Sequence, residues 1–354
     1  MPTVEHAAEL LDKHVQDIIH WHFSPETGCP FWLDWKQQSG WDPLKEIRCF
    51  GDLQKFPHFR DEFLRDEPPG RWVLKAFEGR PYRIFETGGT TGMPKQRISW
   101  EDHLIDYSEF SKTLDERWFP IGANWLMMGP TGPRRLRLAI EHLANVRGGN
   151  CYFIDLDPRW VKKLIDEKQF ELANRYKEHV VDQTVTILKN RSISCLFTTP
   201  KLLEALGEKI SVPDAGITGI FSGGTSMTSQ VVRFLVEEVL ENRAQLVPTY
   251  GNTLMGLAAS RPLCAEDGYA LTYYAPQPRA VLRVVDPNNT DKTVEYGQWG
   301  RIELTTLTRE FFMPRFLERD EAIRREPWGS FSWDGVGEVR PFGMMEKKIV
   351  EGVY

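Results

Sequence analysis

The chain has no apolar run of about 18 residues, the length that marks a membrane-spanning helix, and Met1 to Leu11 lack the charged-then-apolar order of a secretory leader. A soluble, cytoplasmic protein is therefore expected. Cysteine is sparse: Cys29, Cys49, Cys151, Cys195 and Cys264 lie far apart, are odd in number and show no paired metal-type spacing. That pattern argues against a disulfide scaffold or a metal knuckle and fits a reducing compartment. Excess positive charge is lacking too, since the net charge is −6 and the pI about 5.8, so no basic surface for nucleic acid is implied. Internal repeats, low-complexity tracts and long linkers do not occur. What is left is a globular chain of 354 residues, long enough for a large core, in two or three lobes or in one interlocked unit.

Aromatic residues are plentiful, with 12 tryptophans, most of them expected in the core and a few free to line a pocket for a planar substrate. From Val4 to Trp21 apolar residues recur at helical spacing, which predicts an amphipathic helix. His20 and His22 cannot share a helix face at that separation, so they are not expected to hold zinc. Pro81 to Phe85 reads as a strand, and Ser99-Trp100-Glu101-Asp102 has the form of a capping box opening a helix. Strand and helix then alternate: strands at Trp125 to Met128, Cys151 to Asp155, Ile193 to Thr198, Ile217 to Phe221 and Leu246-Val247, with helices between them, including Met227 to Asn242. Alternation of this kind predicts parallel β/α units, whose ligands lie beyond the carboxyl ends of the strands. From Arg279 the pattern changes to strands alone, which predicts a smaller antiparallel sheet or barrel.

The segment Thr87-Gly88-Gly89-Thr90-Thr91-Gly92-Met93-Pro94-Lys95 follows the first of these strands. Glycines there let backbone N–H groups close on an anion, and the threonine hydroxyls and Lys95 add donors and charge, so the loop reads as a phosphate cradle. Met93-Pro94 stands between Gly92 and Lys95, which excludes a Walker A loop. Two further strand-end loops, Phe221-Ser222-Gly223-Gly224-Thr225 and Tyr250-Gly251-Asn252-Thr253-Leu254, are the other places where a ligand could lie on backbone. Arg134, Arg135 and Arg137 sit near a helix start, where cations are out of place; capture of an anion competes there with a solvated basic face.

These motifs resemble those of adenylate-forming enzymes, which join a carboxylate to AMP. The first loop is similar to their Ser/Thr-Ser-Gly-Thr-Thr-Gly-x-Pro-Lys element, with Gly88 and Gln96 as departures, and Tyr250 to Leu254 to their Tyr-Gly-x-Thr-Glu element. Leu304-Thr305-Thr306-Leu307-Thr308-Arg309-Glu310, Met313-Pro314 and Asp320 are similar to the next motif in the phenylacetate–CoA-ligase-like branch, although Leu317, Glu318 and Arg319 depart from it. Overall the chain is most similar to adenylation proteins of phenazine antibiotic biosynthesis, associated with griseoluteate-type acids. The resemblance covers residues 50 to 320. It implies an α/β N-terminal domain of the adenylate-forming type, with parallel β/α sheets and a smaller antiparallel β subdomain. The implied layout is a helical and aromatic segment at 1–80, an α/β core at 81–278, a β subdomain at 279–342 and a degenerate hinge at 343–354.

The resemblance also implies roles. Lys95, Thr87, Gly88, Gly89, Thr90, Thr91 and Gly92 would hold phosphates of ATP, and Thr253 the α-phosphate, with Lys95 and Thr253 the catalytic pair. Tyr250, Gly251, Asn252, Gly223, Gly224 and Thr225 would surround the nucleotide, Tyr250 and Gly224 at adenine, and Asp320 would take the ribose hydroxyls. An aromatic carboxylic acid would lie between the segment of Gly129, Arg134 and Arg135 and the segment Gly223 to Thr225. A reductase or acyl acceptor would consume the acyl-adenylate. Leu254 replaces the glutamate that helps hold magnesium, and leucine offers no oxygen donor, so either another acid substitutes at Mg²⁺ or metal-dependent chemistry is weakened, and no metal ligand is assigned. The chain stops at Tyr354, where the family's mobile lysine-bearing domain would follow; Arg340, Lys347 or Lys348 would have to stand in for the hinge arginine or the lysine. Activity is therefore expected to be partial, and a protein that binds an aromatic acid or AMP without turnover is the alternative.

Overall fold

The computed structural model describes residues 4–87, 93–132, 134–223 and 227–343. They form two compact units. One comprises the residues up to Asp102 with Thr253–Gly256 and Tyr274–Gly343; the other comprises His103–Asn252 and Leu257–Tyr273. Among the described residues, no helix is long and apolar enough to cross a membrane.

The first unit opens with α1 (Val4–Phe23), which buries Ala7, Leu11, Val15, Ile18 and Ile19 on one stripe, as the periodicity predicts. α2 (Pro30–Ser39) starts on a proline and ends at Gly40 in the left-handed conformation; α3 (Pro43–Glu46) is capped by Asp42, whose carboxylate accepts from Leu44 N–H. The short α4 (Phe63–Asp66) follows. Much of the aromatic excess is spent here: Phe23, Trp32 and Phe56 pack on Phe312 with ring centroids 5.2–5.9 Å away. Strands β1 (Arg83–Glu86) and β2 (Gln96–Ser99) then form an antiparallel hairpin, with Glu86 opposite Gln96, so the Gly/Thr loop is the connection of a two-stranded ribbon.

The second unit carries the alternation. It runs α5 (Asp102–Ser111), β3 (Trp125–Met128), α6 (Arg135–Val146), β4 (Cys151–Ile154), α7 (Pro158–Asp166), α8 (Phe170–Asn190), β5 (Cys195–Thr198), α9 (Pro200–Gly207), β6 (Gly219–Ser222), α10 (Ser229–Phe234), β7 (Gln245–Asn252), β8 (Gly256–Ser260) and β9 (Thr272–Tyr274). Strand order is β9-β8-β7-β6-β5-β3-β4, and the pairings between β4, β3, β5, β6 and β7 are parallel. β3, β5 and β6 are buried along their whole length, as strands covered on both faces must be. Phe119, Trp125, Met127, Phe197 and Phe221 centre this unit's core.

Two local expectations are corrected. The helix predicted from Met227 to Asn242 is α10 followed by a π-helical turn at Leu235–Val239, and Glu241 and Asn242 take positive φ of 53° and 55°, which stops the helical path. Tyr250 to Asn252, predicted as a loop, continue β7.

The chain then returns to the first unit with β10 (Ala280–Asp286), β11 (Asn289–Thr293), β12 (Trp299–Leu307), β13 (Phe312–Arg325) and β14 (Gly335–Pro341), an antiparallel set in the order β11-β10-β12-β13-β14. Ring N–H groups of the N-terminal helices grip the turn between β12 and β13: His14 and His22 through Nε2 to the carbonyls of Leu307 and Thr308, both 2.8 Å, Trp21 to Arg309 at 2.9 Å and Trp32 to Phe312 at 3.2 Å. Pairing register shifts between Leu304 and Thr306, and opposite this bulge Arg315 has a positive φ of 49°.

Candidate active site

In the first unit the neck of the Gly/Thr loop is closed by its own backbone. Thr87 N–H donates to the Lys95 carbonyl at 2.9 Å, and Lys95 N–H donates to Thr87 Oγ1 at 3.0 Å. Gly88, Gly89, Thr90, Thr91 and Gly92 lie outside the described residues. The Lys95 ammonium is buried, 3.4 Å from Asp61 and 4.6 Å from the centre of the Phe316 ring. Burial draws its pKa below the usual lysine value, against the pull of Glu318 and Asp61. Asp61 is also paired with Arg65 at 2.8 Å, and Arg65 Nε donates to the Met93 carbonyl at 2.9 Å. The far arm of the loop is thus tied to the α4 segment at Met93 and at Lys95.

Thr253 belongs to the same unit. Its hydroxyl donates to the Glu86 carbonyl at 3.4 Å, one residue before the loop neck. The carbonyls of Thr253 and Leu254 are held by Arg97 Nη1 at 3.1 and 2.7 Å, and Thr306 Oγ1 adds a bond to Leu254 O at 3.0 Å. Phe316, whose ring underlies Lys95, lies four residues before Asp320 on β13. Thr87, Lys95, Thr253 and the strand that carries Asp320 are therefore brought together within one unit.

Asp320 itself is half-buried and stands opposite Pro341 of β14. In isolation residues 315–325 could pass for a solvated charge run, but Arg315 and Glu318 are buried. Arg315 pairs with Glu303 at 3.2 Å and donates to the carbonyls of Gln54 and Phe56, and Arg283 completes the cluster on Glu303 at 2.8 Å. Arg340 lies on β14, with Nε 2.6 Å from Glu321 and its guanidinium 3.8 Å from the centre of the Trp299 ring. Lys347 and Lys348 lie outside the described residues.

Magnesium finds no ligand at position 254: the leucine side chain is 2% exposed, and its carbonyl is already taken by Arg97 and Thr306. Among the described residues no group of three His, Cys, Asp or Glu side chains could hold a metal ion.

In the second unit the chain leaves β3 toward β4 on one side and leaves β5, the neighbour of β3 on the other side, toward β6, so the connections diverge between β3 and β5. Such a switch point opens a crevice beyond the carboxyl ends of the strands. Gly129 follows β3 there, and a Cβ on it would stand 2.7 Å from Phe197 Cε1, which accounts for the glycine by packing. Gly223 follows β6, and its missing Cβ would meet Thr249 Oγ1 at 2.7 Å. Gly224 and Thr225 lie outside the described residues. Of the three arginines, Arg134 is exposed, while Arg135 is buried and paired with Asp106 at 2.9 Å. Arg137 reaches Asp155 at 3.3 Å and lies over Phe153. The Tyr250 ring lies 5.9 Å from that of Tyr273, and Gly251 and Asn252 complete β7.

Glu310 and Asp102, known from the sequence only as the ends of a motif and of a capping box, and Arg97, which no motif contains, form a buried cluster. Glu310 accepts from the Ser99 hydroxyl at 2.9 Å and from the N–H groups of Trp100, Glu101 and Asp102, so the start of α5 is capped by a residue 208 positions beyond Asp102 instead of by its own capping box. Burial and the neighbouring Asp102 raise the Glu310 pKa. The one sequence signal was an arginine in a short strand whose other inner positions are Ile98 and Ser99.

No protein-family model matches the chain, and no curated protein matches it. Among solved structures it is similar to 2-hydroxyisobutyryl-CoA ligase in the postadenylation state with R3-HIB-AMP, at a TM-score of 0.66 and 14% identity over 95% of this chain and 67% of that one. The same ligase in the thioesterification state, with 2-HIB-AMP and CoA, matches at 0.66 and 16% identity with the same coverage. An open conformation with 2-HIB-AMP and CoA matches at 0.65 and 15% over 96% of this chain and 74% of that one. What the chain shares with these ligases is the fold, the α/β architecture of the N-terminal domain of adenylate-forming enzymes.

Proposed function

We propose that the protein activates a carboxylic acid with ATP, forming an acyl-adenylate and pyrophosphate. The observation that carries this reading is the convergence in one unit of the neck of the Gly/Thr loop, the buried Lys95 ammonium and the Thr253 hydroxyl at the Glu86 carbonyl. A fold shared with ligases crystallised with acyl-AMP molecules supports it. In the reaction a carboxylate oxygen bonds to the α-phosphorus, the bond from that phosphorus to the bridging oxygen breaks, and pyrophosphate leaves with the electron pair. Positioning and charge stabilisation are what such a step asks of a protein. Lys95, Thr87 and the loop hold phosphates; Thr253 faces the α-phosphate; Tyr250 and the Gly223 loop, with Gly224 and Thr225, flank adenine; Asp320 takes the ribose hydroxyls. The acid lies in the crevice beyond β3 and β6; of the arginines there Arg135 is committed to a buried ion pair, while Arg134 is exposed and Arg137 makes only an exposed pair with Asp155.

The acid is aromatic in this reading, a phenazine acid of the griseoluteate type in antibiotic biosynthesis, and a separate reductase or acyl acceptor takes the adenylate. The alternative is a protein that binds aromatic acid or AMP with little or no turnover, favoured by the buried Leu254 in place of an acid. Acid-dependent exchange of labelled pyrophosphate into ATP separates the two. Exchange with at least one aryl acid is expected; silence across a panel, with AMP binding intact, defeats the ligase reading. Replacing Asp320 with Ala should weaken AMP binding at least tenfold in calorimetry, and unchanged affinity would remove the ribose assignment.

A further inference from the structure

We infer that Arg97 is a positioning residue for the proposed adenylation site, acting through Thr253. This rests on the reading above and adds to it a residue that no motif contains. Arg97 is 2% exposed on β2, one residue beyond Gln96, which pairs with Glu86 at the base of the loop. Its guanidinium spans two structures. Nη1 bridges the carbonyls of Thr253 and Leu254, while Nη2 meets Asp102 at 2.5 Å; the Phe311 ring lies 4.7 Å from its central carbon. Asp102 is held in turn by Arg279 at 3.0 Å and by the Thr308 hydroxyl at 2.6 Å.

The economy of the fold does not call for an arginine here. A buried guanidinium among carbonyls and a carboxylate gives up its hydration, and apolar residues of similar volume usually stabilise a buried position as well or better. What arginine does and an apolar residue cannot do is fix direction: its planar fork holds the Asp102 carboxylate with Nη2 while Nη1 bonds two successive carbonyls, and so sets the orientation of the peptide between them. That peptide joins Thr253 to Leu254, and the Thr253 hydroxyl is the group set against Glu86 at the loop. Arg97 therefore locks the strand leaving the phosphate loop to the threonine that faces the same phosphate. With Leu254 unable to bind a metal, a fixed internal cation holds this segment in register.

A double-mutant cycle on AMP binding tests the inference without requiring turnover. Calorimetry would compare the full chain with Thr253→Ala, Arg97→Met, Arg97→Lys and the double variant Thr253→Ala/Arg97→Met, each checked for a native melting transition. Arg97→Met is expected to weaken AMP binding tenfold or more in the wild-type background and less than twofold in the Thr253→Ala background. Arg97→Lys, which keeps the charge and loses the fork, should recover only part of the loss. If pyrophosphate exchange occurs, Arg97→Met should lower kcat with the KM for the acid within twofold of wild type. Equal losses in both backgrounds, or wild-type affinity in a folded Arg97→Met, would overturn the inference while leaving the ligase reading intact. AMP binding with no exchange for any acid defeats the ligase reading, and the cycle still decides Arg97; no AMP binding by the wild type overturns both.

Discussion

His22 reports how the N-terminal helices hold the molecule. It is 1% exposed, donates through Nε2 to Thr308 O, and burial pushes its imidazole pKa down from 6.5 to about 4. The folded state thus keeps His22 neutral where the unfolded chain would protonate it. The unfolded state binds more protons between pH 6.5 and pH 4, so stability falls as pH falls through that window. From pH 7 to pH 5 the loss from His22 is about 2 kcal/mol, and His14, whose pKa burial also lowers, adds in the same direction. Denaturant titrations at the two pH values should show this drop, and His22→Gln should flatten it; equal slopes for wild type and variant would show that His22 does not titrate on unfolding. No spacing rule could have identified this histidine, because its partner carbonyl is 286 residues away.

At the scale of elements, the parallel strands were legible and their end loops only partly so. Trp125 to Met128 and Cys195 to Thr198 are apolar runs bounded by turns, and both are strands, because strands covered on two faces have no polar side to show. Gly129 was read as a place for substrate, but the sequence could not reveal that Phe197 of the neighbouring strand fills the space where a side chain would be. Gly129→Ala should therefore destabilise by about 1–3 kcal/mol through overpacking. A compensating Phe197→Leu should recover part of that, as the midpoint of urea unfolding would show. Tyr250 is the opposite case: Gly251 suggested a loop, whereas Tyr250 to Asn252 continue β7 past the end of its register with β6 at Pro248, on a strand whose other neighbour is β8.

At the scale of the whole molecule, the N-terminal segment and the β-rich segment fold as one unit although 171 residues, from His103 to Tyr273, separate them apart from Thr253–Gly256. The buried Glu303, paired with Arg283 and Arg315, is central to that union, because Arg315 also donates to Gln54 O and Phe56 O. Glu303→Gln takes the carboxylate from Arg283 and leaves Arg315 only the more exposed Asp291, and should cost about 3–5 kcal/mol. Guanidinium unfolding with an unchanged slope and a lower midpoint would bear this out; an unchanged midpoint would place the cluster's weight elsewhere. The long-range pairing of ends was beyond a reading in chain order, since charge runs such as 315–325 look alike whether solvated or buried.

By itself the sequence determined what is local and periodic: the amphipathic α1, the alternating strands and helices, the antiparallel end, and a Gly/Thr loop whose composition suits an anion. These follow from spacing, side-chain shape and backbone freedom over a few residues. Only the tertiary structure decided that Thr253 meets the loop's base, that Glu310 caps α5, and that Arg97 bridges them through Asp102. Those relations are hydrogen bonds between residues remote in the chain, and burial makes each depend on where the rest of the fold places its partner.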